Sequence, residues 1–415
     1  MKKFFSYLLV SSLCVTGMAQ TLESFLSEVE RSNAAYIAEK YNVEIAEAQA
    51  IAAKVFNDPE FTAEYSDNQD RTLMMGRSVD LGLSYSFNLA NARKARIAVA
   101  KEEAEITKAL LEDYFRNLRY EAIEAWSNAW QTHSILSLKR STSESMDAIA
   151  VSDSLKAALG EIGRIDALQS SIESKAMKGD LIQAEAEYSN ALTTLSYLAG
   201  GMVIQDIPEN IATPVKEYPI EYLVALAQDN RADIRAAYLS KSLSEKNLAL
   251  VKAQRAPDLG VNMGYSYNTE VRNEIAPAPM FRGVTVGVSI PLKFSSANKG
   301  ERVAAEKAVL QAEAAYEAAL KQIEAEVKMA YSSYKAAVKT YENDSEETLA
   351  QARTIMDGSK TAYTKGDSSL LDYLLAVQVF NDIAETCIGA KAAVLTKWAE
   401  LLAAIGVESI YGSYY

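Results

Sequence analysis

Cysteine and histidine are nearly missing: 415 residues hold two cysteines and one histidine. Cys14 lies in an N-terminal segment that reads as removable, so Cys387 alone remains and an intrachain disulfide is excluded. We expect Cys387 to be a buried small hydrophobe. His133 has no Cys or His at metal-ligand spacing and reads as a surface or seam imidazole, so no metal site is expected. Neither a GxGxxG or Walker loop nor a nucleophile elbow occurs, and no enzyme or cofactor is read. Beyond residue 20, no long helical stretch stays free of charge for the ~18 positions that a bilayer-crossing helix needs. Basic residues are in deficit: the net charge of −13 argues against nucleic acid or anionic lipid as a partner.

Proline is scarce and confined. Pro59, Pro257, Pro277, Pro279 and Pro291 lie in or beside alternating segments, and Pro208, Pro214 and Pro219 lie in one linker. None falls in 60–207 or after 291. A helix-interior proline costs roughly 3 kcal/mol, so its absence permits very long helices. Such helices are what the Ala-, Glu-, Lys-, Leu- and Gln-rich composition favours.

The first residues have the form of a secretory signal: Lys2 and Lys3, an apolar Phe4–Val15, then Gly17-Met18-Ala19 before Gln20. Leu13 before Cys14 is a poor residue for lipid-attachment processing, which favours cleavage after Ala19. Cleavage removes two lysines and no acid, leaving 40 basic and 55 acidic residues, a charge of −15.

Two alternating strands stand out from the helical background. Val79, Leu81, Leu83, Tyr85 and Phe87 alternate with Asp80, Gly82, Ser84 and Ser86. About 205 residues later Val284, Val286, Val288, Ile290 and Leu292 alternate with Gly283, Thr285, Gly287, Ser289 and Pro291. Each has an alternating partner just upstream, Phe61–Tyr65 and Leu259–Tyr267. One apolar and one polar face call for different surroundings on the two sides.

The chain therefore reads as helix 22–57, strands 59–67 and 78–88, long helix 91–159, helix 166–199 and linker 200–218. The plan then repeats as helix 220–255, strands 258–268 and 282–292, long helix 297–364 and helix 369–405. A 69-residue helix is ~100 Å long and must pack along its length. Leu111, Phe115, Leu118, Ala122, Ala125, Ala129, Thr132 and Leu136 form a heptad seam. Tyr316, Leu320, Ile323, Val327, Ala330, Tyr334, Ala337 and Tyr341 repeat it 205 residues on, as left-handed coiled-coil packing requires. Trp126 and Trp130 read as packing residues. The expected organisation is a signal peptide 1–19, a first repeat 20–207, a linker 208–218 and a second repeat 219–415. The longer second strand loop, around Val271–Met280, is expected to absorb about seven extra residues.

Four strands are too few to close a membrane barrel, which needs about eight. Two chains supply 8 strands and three supply 12; a conducting pore with paired helices below favours three. Aromatic strand ends at Tyr65, Tyr85, Phe87, Tyr265 and Tyr267, together with the signal peptide, favour lipid on the apolar face. A periplasmic coiled-coil scaffold or adaptor without a pore is the alternative.

The stretch Tyr363-Thr-Lys-Gly-Asp-Ser-Ser-Leu-Leu-Asp-Tyr-Leu-Leu-Ala-Val-Gln378 resembles the motif opening the last helix of TolC-like outer-membrane efflux proteins. Leu402-Ala-Ala-Ile-Gly406, the strand starts Asn57-Asp58-Pro59 and Ala256-Pro257-Asp258-Leu259, and Ser289-Ile290-Pro291-Leu292 are also similar to that family. The resemblance implies a mainly α fold with transmembrane β: a duplicated helix–strand–strand–helix plan forming a long coiled-coil α-barrel and a shared 12-stranded β-barrel in a homotrimer. It implies an exit duct in the outer membrane of a Gram-negative bacterium with a long periplasmic portion. The implied partners are a periplasmic adaptor (membrane fusion) protein, an inner-membrane transporter of RND or ABC type, and outer-membrane lipid.

Both long helices end at polar turns, Leu159–Asp166 and Lys365–Asp372, in which Gly160 matches Gly366 and Asp166 matches Asp372 at an offset of 206. Glycine ends a helix by adopting the left-handed conformation, Ser368 or Ser369 can cap the next helix, and an acid in its first turn suits the macrodipole. The functional reading sets Asp372, with Asp166, around a tunnel mouth as a ring of carboxylates. Asp372 matches the first inlet carboxylate of the family. The second matching position is Leu375, a departure that makes the expected gate partly apolar. Gly160, Gly163, Arg164, Gly366, Asp367 and Ser368, at exposed tips, are the candidate adaptor-docking residues.

Overall fold

The computed structural model describes residues 21–68, 74–204, 207–211, 213–291, 297–343 and 346–410, with the side chains of 297 and 298 excepted. The expected signal peptide 1–19 lies outside them, as does Leu292 at the end of the fourth expected strand.

The elements run α1 Leu22–Ser32, α2 Ala34–Ala52, β1 Glu60–Asp67, β2 Arg77–Asn88, α3 Ala92–Leu159 and α4 Arg164–Leu198. There follow α5 Ile220–Asn230, α6 Ala232–Gln254, β3 Asp258–Asn268, β4 Phe281–Ser289, α7 Ala297–Asn343, α8 Glu346–Lys365 and α9 Leu370–Ile405. The proline-free stretch does support one continuous helix of 68 residues, α3. Two expected single helices are each divided: 22–57 breaks at Asn33, and 220–255 breaks at Arg231. The expected long helix 297–364 is described as α7 and α8, and 344–345 between them lie outside the described residues. The expected seam residues do face inward, with Leu118, Ala122, Ala129, Ile323, Val327, Ala330 and Tyr334 all buried. Trp126 and Trp130 are packing residues, 1% and 4% exposed. Cys387 is a correction: it is half-buried rather than enclosed.

The chain divides into two compact units, each drawing on both sequence halves. One comprises Met1–Ala38, Tyr114–Arg231 and Ile323–Tyr415; the other comprises Glu39–Asp113 and Ala232–Gln322.

The first unit is helical around Trp126, Trp398, Tyr334, Leu195, Leu223 and Ile405, all nearly fully buried. No described residue of its connecting segment, 200–218, lies in a strand, so its backbone polar groups need side-chain partners. Tyr334 Oη donates to the Pro214 carbonyl at 2.8 Å and accepts from Lys216 N at 2.9 Å. Tyr331 Oη donates to the Tyr218 carbonyl at 2.7 Å, and Trp130 Nε1 to that of Glu209 at 3.0 Å.

The helix breaks are built alike. Asn33, 5% exposed, donates through Nδ2 to the Leu198 carbonyl at 3.0 Å, and its Oδ1 accepts from Tyr36 N at 2.9 Å. Arg231, also 5% exposed, donates to the Ala404 carbonyl at 3.2 Å and pairs with Glu326 at 2.6 Å. Each break residue thus caps the C-terminal end of the last helix of its half, where carbonyls lack intrahelical donors. The glycines just beyond those ends have positive φ, +66° at Gly200 and +79° at Gly406. A Cβ on Gly200 would come within 2.3 Å of the Ser32 carbonyl oxygen, whereas one on Gly201 would meet nothing. Gly200→Ala is expected to destabilise by more than about 3 kcal/mol, combining left-handed strain with a backbone clash, and Gly201→Ala by only about 1 kcal/mol. Thermal unfolding of the two variants side by side checks this; equal losses would remove the clash from the explanation.

The second unit carries one four-stranded antiparallel sheet in the order β1-β2-β3-β4. Residue pairs such as Phe61↔Leu83, Leu81↔Tyr265 and Met263↔Val286 place the apolar members of the alternation on one face. That face is exposed: Phe61, Leu83, Met263, Val284, Val286 and Val288 range from 51% to 71%. The other face carries Thr62, Glu64, Ser66, Asp80, Ser84, Asn262, Thr285 and several glycines. Glu64 stands directly opposite Asp80 there, an arrangement unfavourable for like charges unless water screens it. The extra length of the second strand connection is shared. Part goes to the 269–280 loop and part to β3, which has 11 residues against 8 in β1.

Candidate functional site

The two hairpin tips, both in the first unit, are where the candidate residues gather. At the first, Gly160 takes φ +80°, and Gly160 N and Glu161 N donate to the carbonyls of Ala157 (3.1 Å) and Lys156 (2.9 Å). At the second, Gly366 takes φ +84°, and Gly366 N and Asp367 N donate to Tyr363 (3.0 Å) and Ala362 (2.9 Å). Both are paired-bond helix stops that need a left-handed residue.

The helix starts differ. Ser369 caps α9 in a full capping box: its Oγ accepts from Asp372 N at 3.2 Å, and Asp372 Oδ2 accepts from Ser369 N at 3.0 Å and Ser369 Oγ at 2.7 Å. Gly163 caps α4 without a side chain, and Asp166 Oδ2 fills the space, 3.0 Å from where a Cβ would sit. Gly160, Gly163, Arg164, Asp166, Gly366, Asp367 and Asp372 are exposed, and Ser368 is half-buried. Leu375 is 61% exposed, one turn from Leu371 at 66%; both line a cleft of about 350 Å³ with Leu374, Met177 and Val377.

The hydrogen bonds from Ser369, side chain first and backbone second, hold the Asp372 carboxyl below the ordinary carboxylate range. With the folded value depressed, the box stabilises fully above the unfolded carboxylate pKa and is lost as pH falls through the folded value. Ser369→Ala is therefore expected to lower the thermal midpoint near neutrality and to flatten its fall as pH drops through and below the ordinary carboxylate range. An unchanged acid slope would mean that the box is not formed in solution.

Sequence reading missed the polar contact that ties the hairpins together just above the tips. Asp153 on α3, 1% exposed, accepts from Tyr363 Oη on α8 at 2.7 Å. Tyr363 stacks on Tyr373 of α9, with ring centres 6.2 Å apart at 7°. Around them pack Met146, Ile149, Leu370, Val377, Met177, Met356 and Leu374. Burial, then the bond to Asp153, then the charges of Asp153 and Asp166 push the Tyr363 phenol far above the ordinary tyrosine range. Tyr363 thus stays a neutral donor throughout the physiological range. A second link joins α3 to α4, where Asp147 Oδ1 accepts from Ser174 Oγ (2.9 Å) and Lys178 Nζ (2.6 Å). His133, by contrast, packs its ring 5.1 Å from that of Tyr188.

Among the described residues, no group of three His, Cys, Asp or Glu side chains is placed to hold a metal ion. No helix among them is long and apolar enough to cross a membrane, which says nothing of the sheet.

The second half of the chain matches the outer membrane efflux protein family. The matched residues are 223–407, so the match takes in β3, β4, the second tip and the Ser369–Asp372 box. The outer membrane efflux protein BepC of Brucella suis biovar 1 (strain 1330) is 20% identical over 376 residues, spanning 89% of this chain and 82% of BepC. The Campylobacter jejuni CmeC outer membrane channel superposes with a TM-score of 0.76 at 15% identity, over 98% of this chain and 93% of CmeC. The open state of the Neisseria gonorrhoeae MtrE outer membrane channel superposes with a TM-score of 0.74 at 17% identity, over 93% and 89%. At these identities the structural likeness shows the fold, a mostly helical one shared with outer membrane channels. The family resemblance read from Tyr363–Gln378 is borne out.

Proposed function

We propose that three copies of this chain, a duplicated unit in sequence, close their sheets into one 12-stranded barrel in the outer membrane of a Gram-negative bacterium. The helices then form a periplasmic tube, and the assembly is the passive exit duct of a tripartite efflux or type I secretion system. One observation carries this: a four-stranded sheet in which, among the described residues, β1 and β4 are each unpaired on one side and an apolar face is left exposed. Open edges and an exposed apolar face are hazards in water. Both vanish if β4 of one copy pairs with β1 of the next inside lipid. The polar face, with its Glu64–Asp80 pair, then lines a hydrated lumen. That CmeC and MtrE, with this fold, are outer membrane channels supports the reading.

On this reading the duct does no chemistry, and the energy comes from an inner-membrane transporter of RND or ABC type. The tips at Gly160, Gly163, Arg164, Gly366, Asp367 and Ser368, exposed except for the half-buried Ser368, meet a periplasmic adaptor. Asp166 and Asp372 ring the inlet with Leu375, and the buried Tyr363–Asp153 bond holds each α8–α9 hairpin against α3. Purified protein is expected to run as a heat-dissociable trimer and to conduct ions in planar bilayers. Asp166→Ala with Asp372→Ala is expected to raise conductance or weaken cation preference. Unchanged currents would confine these acids to helix capping.

A further inference from the structure

On α6 the cations divide into two sets. Arg235, Lys241 and Lys246 are paired with Glu112, Glu313 and Glu102. Lys252 and, just past the helix end, Arg255 have no such partner. Lys54, Arg93, Lys94 and Arg96, where α2 and α3 meet β1 and β2, share that lack. Among the described residues none of these six has a carboxylate oxygen within 4.0 Å of its charged nitrogen. In a chain of net charge −13, six unpaired cations at one level are a concentration of positive charge that internal pairing does not explain.

Arg93 and Arg96 line a cleft of about 460 Å³ at this level, with Phe56, Tyr85 and Phe87. The Arg93 guanidinium lies 3.8 Å above the Phe56 ring and donates through Nε to the Lys54 carbonyl at 2.8 Å; Arg96 Nη2 donates to that of Val55 at 3.2 Å. Each guanidinium has five N–H donors, so these bonds fix both forks and leave donors over. The cleft's carboxylate, Asp258, is engaged by Asn88 Nδ2 at 2.9 Å. Tyr85 and Phe87 belong to the apolar face of the sheet, and Val55, Phe56 and Leu89 beside them are 55–63% exposed. Fixed guanidinium donors thus adjoin uncovered apolar side chains on the face assigned to lipid.

This inference rests on the membrane reading above, which puts the helix-side ends of the strands at headgroup level. We propose that the cleft binds the phosphate of an anionic glycerophospholipid in the leaflet nearer the helices. Arg93 and Arg96 hold the phosphate oxygens as planar donor forks, Lys94 and Lys252 add to the attraction, and the acyl chains run along Phe87 and Leu89.

The full protein, titrated with phosphatidylglycerol, phosphatidylcholine or inorganic phosphate and read by native mass spectrometry, tests this. Phosphatidylglycerol is expected to bind well ahead of phosphatidylcholine, with inorganic phosphate not displacing it. At about fivefold per cation, Arg93→Gln with Arg96→Gln is expected to weaken phosphatidylglycerol about 25-fold and leave phosphatidylcholine unchanged. Because Arg93 also braces α2, Lys94→Gln with Lys252→Gln provides a variant whose side chains make no bond among the described residues; a loss of the same order is expected. Parent-like phosphatidylglycerol binding by both doubles, or displacement by inorganic phosphate, overturns the lipid site. Insertion into phosphatidylcholine bilayers with no preference for phosphatidylglycerol overturns it while sparing the barrel. Failure to enter bilayers of any composition removes both.

Discussion

On the barrel proposal, Val286→Arg is expected to abolish trimer assembly in the outer membrane while leaving the helical unit folded. Val286 is 69% exposed on β4 and pairs with Met263, in the middle of the apolar face. An exposed valine on a water-facing sheet tolerates arginine within about 0.5 kcal/mol. On the lipid face of a barrel the same change costs about 2–4 kcal/mol per chain near the bilayer midplane, and a trimer bears it three times. The substitution therefore separates the duct from the pore-free scaffold more sharply than any active-site change, because the two readings differ in solvent rather than in contacts. The measurement is the yield of heat-dissociable trimer in outer membrane fractions, with Thr285→Arg on the opposite face as the hydrated control. Wild-type trimer yield from Val286→Arg would end the barrel proposal.

Tyr363→Phe is expected to raise single-channel conductance several-fold. The change removes one oxygen and leaves the ring stacked on Tyr373, so the apolar packing around Met146, Ile149 and Val377 survives. What goes is the partner of a carboxylate that is 1% exposed. An abandoned buried carboxylate costs about 3 kcal/mol or more. The simplest relief is for the α8–α9 hairpin to move off α3 and admit water to Asp153. Asp153→Asn keeps an acceptor for the phenol and removes the charge, so it is expected to conduct less than Tyr363→Phe. If Tyr363→Phe leaves the current at the parent level, the bond is a packing detail and the inlet is held elsewhere.

The strands and seams were legible because each is a periodic pattern imposed by a boundary between two media. Val79 to Phe87 alternates because one face of the sheet is apolar and the other polar; Leu118, Ala122 and Ala129 recur because a helix presents one stripe to its neighbour. The cap of the last helix was legible to within one residue, Ser368 or Ser369, for a local reason, with Asp372 in the first turn; the structure selects Ser369. The helix breaks were not. Nothing in Ser32-Asn33-Ala34 or Asn230-Arg231-Ala232 stops a helix as proline would, and their partners are 165 and 173 residues away. Asp153 and Tyr363 were hidden likewise, 210 residues apart. Cys387 misled through its residue type, since half of a helix between two neighbours is only half covered.

The reach of Arg231 makes one corner of the fold answer to a distant stretch of chain. Its guanidinium is buried against Glu326 and the Ala404 carbonyl, 95 and 173 residues downstream. A polypeptide truncated before residue 404 would lack one of the acceptors that this buried cation needs, so the α5–α6 corner reports on whether the C-terminal helix is docked.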